Sequence, residues 1–185
     1  SMGSAGTRDA FTVAGGGDYN GGSQPSNKTN EWNGSAWSET GNLPYSSPGS
    51  YSQGFGSQNA MGILKADTAS TDWYVYNGSS WSTSPASLNR SVTGRSMWGS
   101  TSSAVAAGGG TPSIPRNGTE TWNGSTWSNS SNSNSNHIQA LRSNSASSSS
   151  PAGWIFGGGP GNGISAGETF VGPVNSVQTV DLDFS

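Results

Sequence analysis

The chain contains one histidine, His137, and no cysteine. Thiol nucleophiles, disulfides, Cys-ligated zinc and iron–sulfur clusters are therefore excluded, and so is any metal site built from several imidazoles. The carboxylates offer more. Residues two apart on a strand share a face, so Asp181 and Asp183 have the spacing to chelate Ca2+ or to act together as acid and base. Asp67 and Asp72 form a looser pair. Such a pair at a strand end equally serves as solvated charge that discourages edge-to-edge pairing. Arg8, Arg90, Arg95, Arg116 and Arg142 are spread along the chain, without the cluster that grips a substrate carboxylate. No residue set converges on catalysis, so no enzyme activity, cofactor or metal site is expected.

The candidates for ligand contact are mainly aromatic. Trp37, Trp81 and Trp127 stand among asparagines and serines. Flat rings can lie on sugar faces while amides and hydroxyls bond the sugar hydroxyls. These tryptophans also recur in register, and aromatics that repeat at one position commonly pack one sheet on the next. His137 is the fourth candidate. It follows the polar tract Asn132-Ser133-Asn134-Ser135-Asn136, which reads as an exposed loop. Asn33-Gly34-Ser35 and Asn77-Gly78-Ser79 match the glycan-acceptor triplet, although each asparagine is already needed for a turn.

A repeat positions these residues. Trp32-Asn33-Gly34-Ser35-Ala36-Trp37 recurs as Tyr76-Asn77-Gly78-Ser79-Ser80-Trp81 and as Trp122-Asn123-Gly124-Ser125-Thr126-Trp127, at intervals of 44 and 46 residues. Glu168-Thr169-Phe170 is a reduced fourth copy of Glu120-Thr121-Trp122. A second marker, a short apolar run ending in glycines, appears at Phe11–Gly17, Ala104–Gly110 and Gly153–Gly159, with Met61–Asp67 in the corresponding place. Asn-Gly between two aromatics signals a tight hairpin, since a type I′ turn needs positive φ at both central residues. The unbroken apolar run reads as an inner strand buried on both faces, and the glycines after it allow a sharp exit. Glu31, Glu120 and Glu168 read as one repeat position with a structural role between units. Each unit then holds about four strands: inner run, two hairpin strands and a return strand such as 91–99.

Composition agrees with an ordered all-β protein. Charged residues make up only 9% of the chain and the apolar set 29%, yet there are 29 Gly and 8 Trp. Disordered chains are usually highly charged and poor in aromatics. Net charge is −3, and the seven basic residues form no patch that could neutralise phosphates, so nucleic acid is not an expected partner. No apolar run approaches the roughly 20 residues needed to cross a bilayer as a helix, so no membrane insertion is expected.

Four strands per unit, glycines after the inner strand and an aromatic pair downstream resemble the kelch-type β-propeller repeat. The segment Thr119-Glu120-Thr121-Trp122-Asn123-Gly124-Ser125-Thr126-Trp127 is similar to kelch-like repeats in tail and other virion structural proteins of marine tailed phages. The resemblance implies a single all-β propeller domain over residues 1–185, with four blades of about 47 residues. Blade limits fall near 7–56, 57–99, 100–148 and 149–185. Residues 1–6 align with the strand at 96–100 and would complete the last blade, closing the ring. The alternatives are a half-propeller completed by a second copy, and a piece of a longer repeat protein. A copper-radical oxidase on this scaffold would need a Cys–Tyr crosslink and two histidines, which the chain lacks.

The function implied is a non-enzymatic phage virion protein, structural or receptor-binding, on a tail fibre or appendage. Its partners would be other virion proteins or a host surface glycan, with self-association as a further expectation. The alternative is a secreted bacterial lectin-like carbohydrate-binding module. The location implied is the virion or the extracellular space.

Overall fold

The computed structural model describes residues 2–18, 24–46, 53–65, 69–111, 114, 116–136, 152–156, 167–170 and 177–180. Among these residues every regular element is a β-strand. The first sheet contains β1 (Gly3–Gly6) and β2 (Phe11–Ala14); a two-residue ribbon, β3 (Gly17–Asp18) with β4 (Gln24–Pro25), leads to β5 (Thr29–Trp32) and β6 (Trp37–Thr40). The second contains β7 (Gln53–Ser57), β8 (Ala60–Leu64), β9 (Trp73–Tyr76) and β10 (Trp81–Thr83). The third contains β11 (Thr93–Ser100), β12 (Ser103–Gly110), β13 (Thr119–Trp122) and β14 (Trp127–Ser130). In the fourth, β15 (Gly153–Phe156), β16 (Gly167–Phe170) and β17 (Val177–Val180) are described. All pairings are antiparallel, and within each sheet the strands follow chain order, with the β3–β4 ribbon inserted between β2 and β5.

The repeated hairpins form where the aromatics predict them. Trp32 pairs with Trp37, Tyr76 with Trp81 and Trp122 with Trp127. The loops hold four residues instead of the two of a type I′ turn, and the reason is the asparagine side chain. Asn123 Oδ1 accepts hydrogen bonds from the backbone N–H of Ser125 (3.0 Å) and of Thr126 (2.9 Å). Asn33 and Asn77 repeat this arrangement. The next residue turns the chain at φ +93°, +92° and +95° for Gly34, Gly78 and Gly124, where an L side chain is strained.

The N-terminal strand corrects the expected bookkeeping. Residues 3–6 pair with 11–14 in the first sheet and do not complete the fourth. Gly3–Gly6 holds the place of Ser96–Gly99, and β11 pairs forward with β12 in the same way. The supposed return strand is therefore the first strand of the following sheet. Limits drawn at 56/57 and 99/100 cut through β7 and β11. The apolar run is the second strand, and the strands that meet side by side are the first ones: β1 lies against β7, and β7 against β11. Gly54 permits this approach, since a Cβ there would sit 2.5 Å from the backbone N of Ser4.

Among the described residues, three cores join the four sheets in series. Met61, Ile63 and Tyr76 of the second sheet pack on Ala5 and Ala14 of the first. Ala104, Ala106, Trp122 and Trp127 of the third pack on Phe55, Leu64 and Trp73 of the second. Ile155 and Phe170 of the fourth pack on Trp98, Val105 and Ala107 of the third. Strand alternation explains the division: in β12, residues 104 and 106 point back, and 105 and 107 point forward. Each sheet thus has a backward face and a forward face.

Candidate functional site

The backward face of the first sheet carries an aromatic groove. Phe11 on β2, Trp32 on β5 and Trp37 on β6 lie on this face because they are paired across the sheet in register. Trp32 and Trp37 have ring centroids 5.6 Å apart at 45°, and Phe11 meets Trp37 edge-on at 6.5 Å. With Gly6, Thr7 and Arg8 they line a groove of about 460 Å³. Trp37 is 53% exposed. Arg8 at the rim donates to the Asp9 carboxylate from Nε (3.0 Å) and Nη2 (3.2 Å), and both side chains are largely in solvent. The arrangement offers an apolar platform edged by one cation and one anion, which suits a flat or ring-shaped ligand face with polar groups around it.

The other sequence candidates lie elsewhere. Trp127 is 6% exposed, tilted against Trp122 and edge-on to Trp73 of the second sheet. Trp81 lies against Tyr76, and its Nε1 donates to Thr29 Oγ1 of the first sheet at 2.9 Å. Both are packing residues between sheets, so among the tryptophans chosen for their spacing only Trp37 stands on an open surface. His137, Asp67, Asp181 and Asp183 fall outside the described residues. Phe11, Trp32 and Arg8 were not among the residues the sequence marked for ligand contact. Same-face pairing across the sheet is the signal that joins them.

The glutamates work between units, with one correction of register. Glu120 and Glu168 are equivalent, but Glu31 is one residue further along, and a one-residue offset puts it on the opposite face. The Asn30 position corresponds to Glu120. Glu120 accepts from the backbone N–H of Asn89 (2.6 Å) and Arg90 (3.1 Å), in the segment that arrives from the second sheet. Glu168 accepts from Asn134 (2.7 Å) and Ser135 (2.8 Å), arriving from the third. Each carboxylate therefore pins the incoming connection to the next sheet. Arg95 adds a cation to this system, with Nη1 3.3 Å from Glu120 Oε1 and side-chain exposures of 1% and 0%. Arg95 also donates to the Arg90 carbonyl.

Burial sets the electrostatics here. Desolvation pushes the Arg95 guanidinium down to about 10, opposed by the Glu120 charge. Desolvation also lowers Arg90, whose Nη1 donates to the carbonyls of Gly108 and Gly118. A small cavity of about 180 Å³ adjoins this system, lined by Arg90, Asn117, Gly118, Thr119, Asn129 and Asn132. Glu120 accepts three hydrogen bonds, from the backbone N–H groups of Asn89 and Arg90 and from Arg95 Nη1, which hold it in place. Between the first two sheets, burial raises the Tyr76 hydroxyl above its ordinary value; Thr40 opposes this, and the nearby Glu31 charge adds to it. Among the described residues no group of three or more His, Cys, Asp or Glu side chains is placed to hold a metal ion.

No protein-family model matches the chain, and no curated protein matches it. It is similar in fold to a solved structure of YjhT, with a TM-score of 0.72 at 12% identity. The similarity covers 100% of this chain and 66% of the YjhT chain. At that identity the likeness speaks to fold alone. Among the described residues no helix is long and apolar enough to cross a membrane.

Proposed function

We propose that the four sheets are blades of a kelch-like β-propeller that acts without catalysis as a virion protein of a tailed phage, structural or receptor-binding. The observation that carries this reading is the division of labour in the repeat. Buried aromatics and carboxylates tie sheet to sheet, while the hairpin tips at Asn33, Asn77 and Asn123 satisfy their own turns and stand in solvent. A rigid scaffold that presents self-sufficient loops is the arrangement expected of a protein that recognises or assembles. The absence of cysteine suits a fold stabilised by serial packing. Its partners would be other virion proteins or a host surface glycan.

A lectin-like module is the second reading, favoured by the Trp37 groove with its exposed Arg8. One experiment separates them. The purified chain is incubated with intact bacterial cells, their surface polysaccharides and simple glycosides, and both retention and product formation are measured. Retention on cells, competed by surface polysaccharide and without turnover, supports the receptor-binding reading. Saturable binding of one simple sugar, lost in Trp37→Ala, moves the assignment to the lectin. Release of sugar product overturns both.

A further inference from the structure

We propose that the hairpin tips Asn33-Gly34, Asn77-Gly78 and Asn123-Gly124 are sites of self-modification in the folded protein, where the asparagine amide becomes a carboxylate, and that the fold withholds this reaction from Asn117-Gly118. The inference rests on local geometry and holds whatever the protein binds. Asn20-Gly21 and Asn162-Gly163 lie outside the described residues. The reaction needs only hydroxide and water. Hydroxide takes the proton of the glycine N–H, and that nitrogen bonds to the asparagine Cγ while negative charge passes to Oδ1. The Cγ–Nδ2 bond then breaks, Nδ2 takes up a proton, and ammonia leaves behind a succinimide ring. Water opens the ring at either carbonyl to give aspartate or isoaspartate. Glycine favours the attack because no Cβ shields its nitrogen.

At each tip the hydrogen bonds fall on the oxygen that must bear the charge. Asn33 Oδ1 accepts from the N–H of Ser35 (3.0 Å), the Ser35 hydroxyl (2.9 Å) and the N–H of Ala36 (2.9 Å). Asn77 Oδ1 accepts from the N–H and the hydroxyl of Ser79 (3.0 Å each) and the N–H of Ser80 (2.9 Å). Asn123 Oδ1 accepts from the N–H of Ser125 (3.0 Å), the Ser125 hydroxyl (2.9 Å) and the N–H of Thr126 (2.9 Å). Donors already aimed at a developing oxyanion stabilise the state that carries it. The attacking glycine nitrogen and the departing Nδ2 stand outside this set of bonds. All three asparagines are exposed to the hydroxide and water that the reaction uses.

Asn117-Gly118 places the same two residues in the opposite setting. Its departing nitrogen, Nδ2, donates to the Ser133 carbonyl at 3.2 Å. The Asn117 carbonyl accepts from the Ser133 N–H and hydroxyl, and Gly118 is buried. Arg90 Nη1 donates to the Gly118 carbonyl at 2.9 Å, and a Cβ on Gly118 would lie 2.3 Å from Arg90 Cζ. The guanidinium thus packs directly on the glycine. Tied on both sides, this pair reacts only when the junction opens. Each conversion at a tip adds one negative charge to a chain whose formal net charge is −3, on loops the scaffold holds in solvent.

The test is peptide mapping by mass spectrometry of the purified chain held in mildly alkaline buffer, folded and, in parallel, unfolded in guanidinium chloride. In the folded chain Asn33, Asn77 and Asn123 are expected to convert at least about tenfold faster than Asn117, and in denaturant the four rates should fall within about threefold of one another. Conversion of Asn117 at the pace of the tips in the folded chain overturns the protection. Tips that keep their amides when folded and lose them only in denaturant overturn the assignment of the sites. An Asn117 that stays slow in denaturant also overturns the proposal, since its neighbours in sequence, and not the fold, then hold it back.

Discussion

Glu120→Gln is the sharpest test of how the sheets are tied together. The wild-type carboxylate is fully buried, faces Arg95 Nη1 at 3.3 Å, and accepts the N–H groups of Asn89 and Arg90. Glutamine keeps the shape and one acceptor oxygen. It removes the charge that balances a guanidinium only 1% exposed. Breaking a buried pair by taking away one partner costs about 3–5 kcal/mol, because the remaining charge is left in a poor solvent. The glutamine NH2 must also face one of the two backbone donors, and a buried donor without an acceptor costs about 1–3 kcal/mol. These costs overlap, so about 3–5 kcal/mol is expected in total. That is a large part of the roughly 5–15 kcal/mol available to a domain. Urea unfolding followed by tryptophan fluorescence measures it, with Glu39→Gln as the control. Glu39 pairs with Lys28 in solvent, both about half exposed, and its loss should cost no more than about 1 kcal/mol. Arg95→Met added to Glu120→Gln should recover part of the loss, since the unpaired charge is gone. If Glu120→Gln unfolds at the same urea concentration as Glu39→Gln, the carboxylate is not what pins the connection, and the account of the junction is wrong.

The other expectations follow from the same contacts. Trp127→Ala should cost about 3–5 kcal/mol as a buried aromatic truncation, while Trp37→Ala, at the same repeat position, should change monomer stability by less than about 0.5 kcal/mol in thermal or urea unfolding. Asn123→Ala removes the acceptor that closes its loop and should cost about 1 kcal/mol, whereas Asn123→Asp keeps the oxygens and should be near neutral. Tyr76 has a raised pKa, so its contribution is present in full below pH 10 and is lost as pH rises through the raised value. Tyr76→Phe should flatten that alkaline limb, and ultraviolet titration of the wild type should show one phenol ionising later than an exposed tyrosine.

The period and the hairpins were legible because their chemistry is local. An asparagine that accepts from two following N–H groups, and a glycine that takes positive φ, are properties of four adjacent residues. Where each sheet begins was read wrongly, although a signal was present. Ser100 pairs with Ser103 across two residues and Ser57 with Ala60 across two, and so short a connection commits a strand to the run that follows it. The glutamate register failed for a related reason. Aligning on Glu in place of the Trp-Asn-Gly motif shifts Glu31 by one residue, and in a strand one residue changes the face.

The burial of the tryptophans could not be read from the repeat at all. Trp37 and Trp127 stand in nearly the same six-residue wording, in the same loop geometry, beside an equivalent partner ring. One is a core residue and the other is half in solvent. Local sequence dictates that the ring points backward from its sheet, and it has no influence on whether a sheet lies behind. That depends on place in the series, which is a long-range property. A motif repeated in register therefore identifies the surface through which units join. In the first sheet that surface is half exposed at Trp37, whereas in the third it is buried at Trp127. Trp37 is a candidate for contact because its ring is half exposed, while Trp81 and Trp127 use the same chemistry to hold one sheet to the next.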